Sequence, residues 1–249
     1  LMSPMKARAN RLCNEIPLIC MKELIRQTGL PVVSMDQVYI RTNPAIEVSR
    51  IVDDSLNDCG IAPRFGAPSL SEQLLRVKDR FKEVVLVDDV IFSGKVISKI
   101  LLSLERLGVK VPVVVAGITI GEGARTLKEK TKAELLTVRY YQEVIDEVCE
   151  RDFYPGVPLS GRFLLTQDVE RGAPYLLPFG NPRKWASIPR EAEQEFSQFC
   201  RKQTIKLWEA IEETSGKIVK CQDLERVPRG LPNDSSRFVD ELRNVENLL

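Results

Sequence analysis

The chain has 249 residues, 43% apolar and 29% charged, with 36 Lys and Arg balanced by 35 Asp and Glu. That length accommodates one good-sized α/β domain with an appendage, or two small domains. A net charge of +1 gives no electrostatic argument for nucleic acid or an anionic membrane, and no apolar run is long enough for a membrane span. The sequence contains no histidine, which removes Ser-His-Asp and Cys-His catalysis. Its six cysteines are scattered with no Cys-x-x-Cys, so they read as reduced thiols rather than zinc ligands. No signal-peptide pattern is present, and a cytoplasmic setting is expected. The chemistry left open uses carboxylates, Lys, Arg, Tyr, backbone amides or a hard metal ion.

Taken in order, Leu1-Met2 reads as the tail of a strand, with the expectation that residues upstream of Leu1, including the start of that strand, are missing. A loop, Met2 to Ala7, precedes a helical pattern from Arg8 to Gln27 that Pro17 kinks or splits and Gly29 ends. Leu30 to Ile40 is a second strand. Arg41 to Lys82 is irregular, with a short helix over Ile46 to Leu56, a turn-rich loop over Gly60 to Pro68 and a helix over Ser69 to Phe81. An acidic pair there, Asp53-Asp54, has no phosphate loop after it and reads as a solvated helix or loop feature.

The stretch that organises the chain is Val84-Val85-Leu86-Val87-Asp88-Asp89-Val90-Ile91-Phe92-Ser93-Gly94-Lys95-Val96. Four apolar residues run into two adjacent carboxylates, and a Ser-Gly turn then opens a helix over Val96 to Leu107. This is a buried parallel strand whose carboxyl end carries an acidic pair. Ligands of open α/β sheets bind beyond such strand ends, and a helix N-terminus offers unpaired N–H groups to a phosphate. The alternative is a generic strand-end acidic pair. Val111 to Ile120 is a central strand, and Gly121-Glu122-Gly123 after it reads as a tight turn into the helix Ala124 to Lys130 rather than a dinucleotide motif. Ala133 to Val138 is a further strand. From residue 146 to 190 the chain is rich in Pro, Gly and aromatics. Beyond Pro189 it is helical, with one stripe through Phe196, Phe199/Cys200, Leu207 and Ile211 and another through Phe238, Leu242, Val245 and Leu249.

The apolar strand, acidic pair and Ser-Gly turn together resemble the signature of type I phosphoribosyltransferases, enzymes that use 5-phosphoribosyl-1-pyrophosphate (PRPP). Leu1-Met2-Ser3-Pro4-Met5-Lys6-Ala7 is similar to the pyrophosphate loop of orotate phosphoribosyltransferases. The family's usual Thr-Gly-x-Thr is here Ser93-Gly94-Lys95-Val96, and Ala7 stands where Gly is common.

The resemblance implies an open, mostly parallel five-stranded sheet flanked by helices over residues 1–145 and a hood over 146–190; residues 191–249, which nothing in the family matches strongly, read as an appended helical extension. It implies that Asp88 and Asp89 hold the ribose hydroxyls and, indirectly, Mg²⁺. Val90, Ile91, Phe92, Ser93, Gly94, Lys95 and Val96 would hold the 5-phosphate. Ser3, Pro4, Met5, Lys6 and Ala7 would hold the pyrophosphate, with Lys6 as its cation; read by itself, Lys6 is equally a surface lysine. In the hood, Arg151, Asp152, Phe153 and Tyr154 either read the acceptor or plug the core. The expected partners are PRPP and an acceptor, within a homodimer or a larger assembly. The activity implied is phosphoribosyl transfer to a nitrogen acceptor; a non-catalytic sensor of PRPP or a nucleotide on the same fold is the other reading.

Overall fold

The computed structural model describes residues 18–164 and 171–245. Its first elements are α1 (Leu18–Thr28), β1 (Val32–Ser34), β2 (Val48–Val52), β3 (Asp58–Pro63), α2 (Leu70–Arg80) and β4 (Glu83–Ile91). Then come α3 (Lys95–Arg106), β5 (Lys110–Ile120), α4 (Gly121–Lys130) and β6 (Glu134–Tyr141). After a 3₁₀ turn at Glu150–Phe153 follow β7 (Arg162–Leu164), β8 (Arg171–Ala173), α5 (Pro182–Ala186), α6 (Glu193–Ser215), β9 (Val227–Pro228) and α7 (Phe238–Asn244). They form two compact units, one of described residues 18–48 and 63–145, the other of 49–62 and 146–245. None of the described helices is long and apolar enough to cross a membrane.

The first unit is α/β, with a sheet in the order β1-β4-β5-β6 and every pair parallel. Val84, Val85, Leu86 and Val87 are all 0% exposed. Burying each contributes roughly 1.5–3 kcal/mol, which is why an uninterrupted apolar run makes the central strand. Helices flank the sheet: α1 sets Met21 against Val85, Val87 and Val115, and α3 buries Ile97, Ile100, Leu101 and Leu104. The fifth strand expected at Leu1-Met2 lies outside the described residues.

Two local expectations are corrected here. The strand over Leu30 to Ile40 stops at Ser34, because the Asp36 carboxylate accepts the N–H groups of Val38 (2.8 Å) and Tyr39 (2.9 Å) and closes a turn. The helix over Ile46 to Leu56 is instead strand β2 followed by a turn. Asp53 accepts from the Asn57 backbone N–H at 2.8 Å, and Leu56 takes a positive φ of 64°. Asp53 is thus a turn-forming residue, and β-branched Val48, Ile51 and Val52 favour the strand.

The second unit has its own sheet, in the order β3-β2-β7-β8-β9, with β2–β7 and β8–β9 parallel and β7–β8 antiparallel. Its core gathers Phe153, Leu164, Tyr175, Phe179, Trp185, Phe238 and Leu242. Strands β7, β8 and β9 are three residues or fewer, too short for alternation to show in sequence. Of the stripe assigned to α6, Phe196 and Cys200 pack on the core, whereas Phe199, Leu207 and Ile211 are exposed and Ser197, Arg201, Thr204 and Glu212 supply the rest of the buried face.

Candidate functional site

Strand β4 carries Asp88 and Asp89, both half-buried, to the carboxyl edge of the first unit's sheet. The carboxylates turn back on their own backbone: Asp89 N–H donates to Asp88 Oδ1 at 3.1 Å, and Val90 N–H donates to Asp89 Oδ1 at 2.8 Å. On the neighbouring strand Ser34 is in register with Val87, and Met35 N–H donates to the Val87 carbonyl at 2.8 Å. This register puts Asp36 at the same edge. Asp36 is only 4% exposed. Burial first, and the Asp36 charge second, hold the Asp89 carboxyl above the usual carboxylate range. Carboxylates brought together this way favour a proton, a cation or donating hydroxyl groups between them.

The residues after β4 form the turn Phe92-Ser93-Gly94 that opens α3. Gly94 has φ +70°, and a Cβ there would lie 2.8 Å from the Gly123 carbonyl oxygen. Conversely, a Cβ on Gly123 would lie 2.5 Å from the Phe92 carbonyl oxygen. The turns after β4 and β5 therefore meet backbone to backbone, and only glycine fits on either side. A Cβ on Gly121 would come within 2.6 Å of the Gln142 carbonyl oxygen. Both glycines of Gly121-Glu122-Gly123 are thus occupied by protein, which accounts for the motif without a dinucleotide. Helix α3 has no side-chain cap at Gly94, so its first-turn N–H groups face the turn with no cap bond. Ser93 and Val96 are half-buried and Lys95 is exposed.

Ser3, Pro4, Met5, Lys6 and Ala7 lie outside the described residues. Arg151, Asp152, Phe153 and Tyr154 belong to the second unit. Phe153 is 7% exposed, and its ring meets Phe196 and Tyr175 edge-on at 5.1 and 6.3 Å. Asp152 accepts the Gly161 N–H at 2.9 Å, and burial raises its pKa. Tyr154 is half-buried, and burial raises its phenol too. The residue that sequence reasoning missed is Asp36. Its signal was a Val-Val-Ser strand ending in an acid, at the edge where the next parallel strand ends in two.

No family model matches the sequence, and no curated protein matches it. Among solved structures, an orotate phosphoribosyltransferase from Aeropyrum pernix is similar over 37% of this chain and 59% of that one, at 19% identity and a TM-score of 0.23. The match spans less than two thirds of that enzyme's length.

Proposed function

We propose that this chain binds PRPP with Mg²⁺ and transfers its phosphoribosyl group to a nitrogen acceptor such as a nucleobase. The C1–O bond to pyrophosphate breaks, a C1–N bond forms, and the acceptor's proton passes to solvent. The observation that carries this reading is the acidic pair ending β4 immediately before the Gly94 turn into α3. Carboxylates for sugar hydroxyls and first-turn amides for a phosphate stand a few residues apart on one strand–turn–helix unit, the two chemistries that a 5-phosphoribosyl group calls for.

Asp88 and Asp89 accept from the ribose hydroxyls and stabilise positive charge developing at C1. The N–H groups that open α3 anchor the 5-phosphate and fix the ring's position. PRPP is highly anionic, and Asp36 adds a third carboxylate, so charge at this edge requires compensation. The donor set suits Mg²⁺, being carboxylate oxygens with no three-ligand acidic cage among the described residues. Asp88 and Asp89 would hold the ion through its waters. When bound, Mg²⁺ supplies neutralisation of the pyrophosphate leaving group.

Val96 favours a second reading, a non-catalytic PRPP or nucleotide sensor, because an apolar side chain stands in the phosphate turn where a hydroxyl would donate. Pyrophosphate release from PRPP and Mg²⁺, assayed with a panel of nucleobases, separates the two. Turnover with any base supports transfer; tight PRPP binding without turnover leaves the sensor.

A further inference from the structure

The second unit contains a cleft of about 610 Å³ whose lining includes Asn181, Arg183, Lys184, Ser187, Arg190 and Glu193. From Asn181 to Arg190 the chain carries three cations and no acid. Neither Arg183 nor Arg190 makes an ion pair with a described carboxylate. Lys184 stands near enough to Asp53 to help lower that carboxyl's pKa. Glu193 repels an anion placed beside it but can accept from a hydroxyl.

The segment that presents these cations is anchored at several points. Asn181 caps α5 by accepting the Lys184 N–H at 3.0 Å, and Pro182 fills the first helical position. Trp185 and Ile188, 3% and 7% exposed, pin the segment into the core, which turns Arg183 and Lys184 outward. Ser187 takes the left-handed conformation at φ 48°, and its hydroxyl donates to Asp146 Oδ2 at 2.7 Å. Pro189 then leads into the 3₁₀ turn that holds Arg190. Two guanidiniums and an ammonium on a pre-formed loop match an anion with several charged oxygens, because each guanidinium can bind two oxygens.

We infer that this cleft binds a small phosphorylated molecule carrying a di- or triphosphate. The site is independent of the acidic edge of the first unit and does not rest on the PRPP reading.

The test is a titration of the full chain with inorganic triphosphate, followed by Trp185 fluorescence in a Trp208→Phe background. Saturable binding is expected. Arg183→Gln with Arg190→Gln should weaken it about 100-fold, roughly tenfold for each guanidinium removed. Asp88→Asn with Asp89→Asn should leave it unchanged, which separates this site from the one proposed for PRPP. Arg183→Lys with Arg190→Lys should lose less than the glutamine pair; this checks that charge and not folding is read. A nucleoside triphosphate binding as well as or better than the inorganic ion also supports the site. The inference is overturned by undiminished binding in the glutamine pair, by no saturation at millimolar triphosphate, or by affinity only for single-stranded oligonucleotides that grows with their length.

Discussion

Asp36 is the residue whose removal reports most sharply on the acidic edge. With its pKa raised, Asp89 holds its proton to a higher pH in the fold than in the unfolded chain. Stability therefore falls as pH rises from the ordinary carboxylate pKa through the raised one. Asp36→Asn should lower the Asp89 pKa and flatten that dependence, as followed by carboxyl ¹³C NMR and urea unfolding across pH. An unchanged Asp89 titration would contradict the pairing. Gly94→Ala combines a left-handed backbone with a Cβ 2.8 Å from the Gly123 carbonyl oxygen; the expected cost is about 2 kcal/mol or more in urea unfolding. At this scale the placement of Asp88 and Asp89 at a strand end and of Ser93-Gly94 at a helix start was legible, because an apolar run sets off an acidic pair and a glycine turn. That of Asp36 was not, because its role depends on the register between β1 and β4, and one strand's sequence does not encode its partner's alignment.

Among the elements, those with long apolar runs or clear caps were readable, as with β4, β5, α3 and Ser69 at the start of α2, whose side chain accepts the Glu72 N–H. Strand β2 was read as a helix because Ile51 and Val52 sit between polar residues that fit either period. The buried face of α6 was read only at Phe196 and Cys200, because the rest of it carries Ser197, Arg201, Thr204 and Glu212, and polar residues do not register as a core stripe. Glu212 has a definite task. It accepts from Arg237 Nε at 3.0 Å and from the Val219 N–H at 2.9 Å, tying the end of α6 to the residues before α7. The Arg237 guanidinium, with the Val219 N–H, holds the Glu212 carboxyl below its usual range. The stability this adds is present above the ordinary glutamate pKa and is lost as pH falls through the lowered one. Glu212→Gln should cost roughly 1–3 kcal/mol at neutral pH and much less in acid, measured by urea unfolding; equal losses at both would contradict the ion pair.

The whole molecule divides into two units, each with its own sheet and core, and residues 49–62 join the second although they lie within the first in sequence. Such an excursion leaves no compositional mark, since it is decided by which sheet accepts β2 and β3. Separate cores predict separable unfolding. Leu86→Ala and Leu164→Ala remove side chains 0% and 2% exposed, each at a cost of roughly 2–5 kcal/mol. In calorimetry each should lower one transition and spare the other; a single transition shifted equally by both would show one cooperative unit. The central claim is that the first unit's acidic edge holds PRPP, and calorimetric titration of PRPP with Mg²⁺ into the full chain tests it most directly. In an Arg183→Gln, Arg190→Gln background that removes the second unit's anion cleft, saturable one-to-one binding that Asp88→Asn with Asp89→Asn abolishes, while the thermal transitions stay in place, is the predicted result. Absence of binding, or binding that the folded double variant retains, would contradict it.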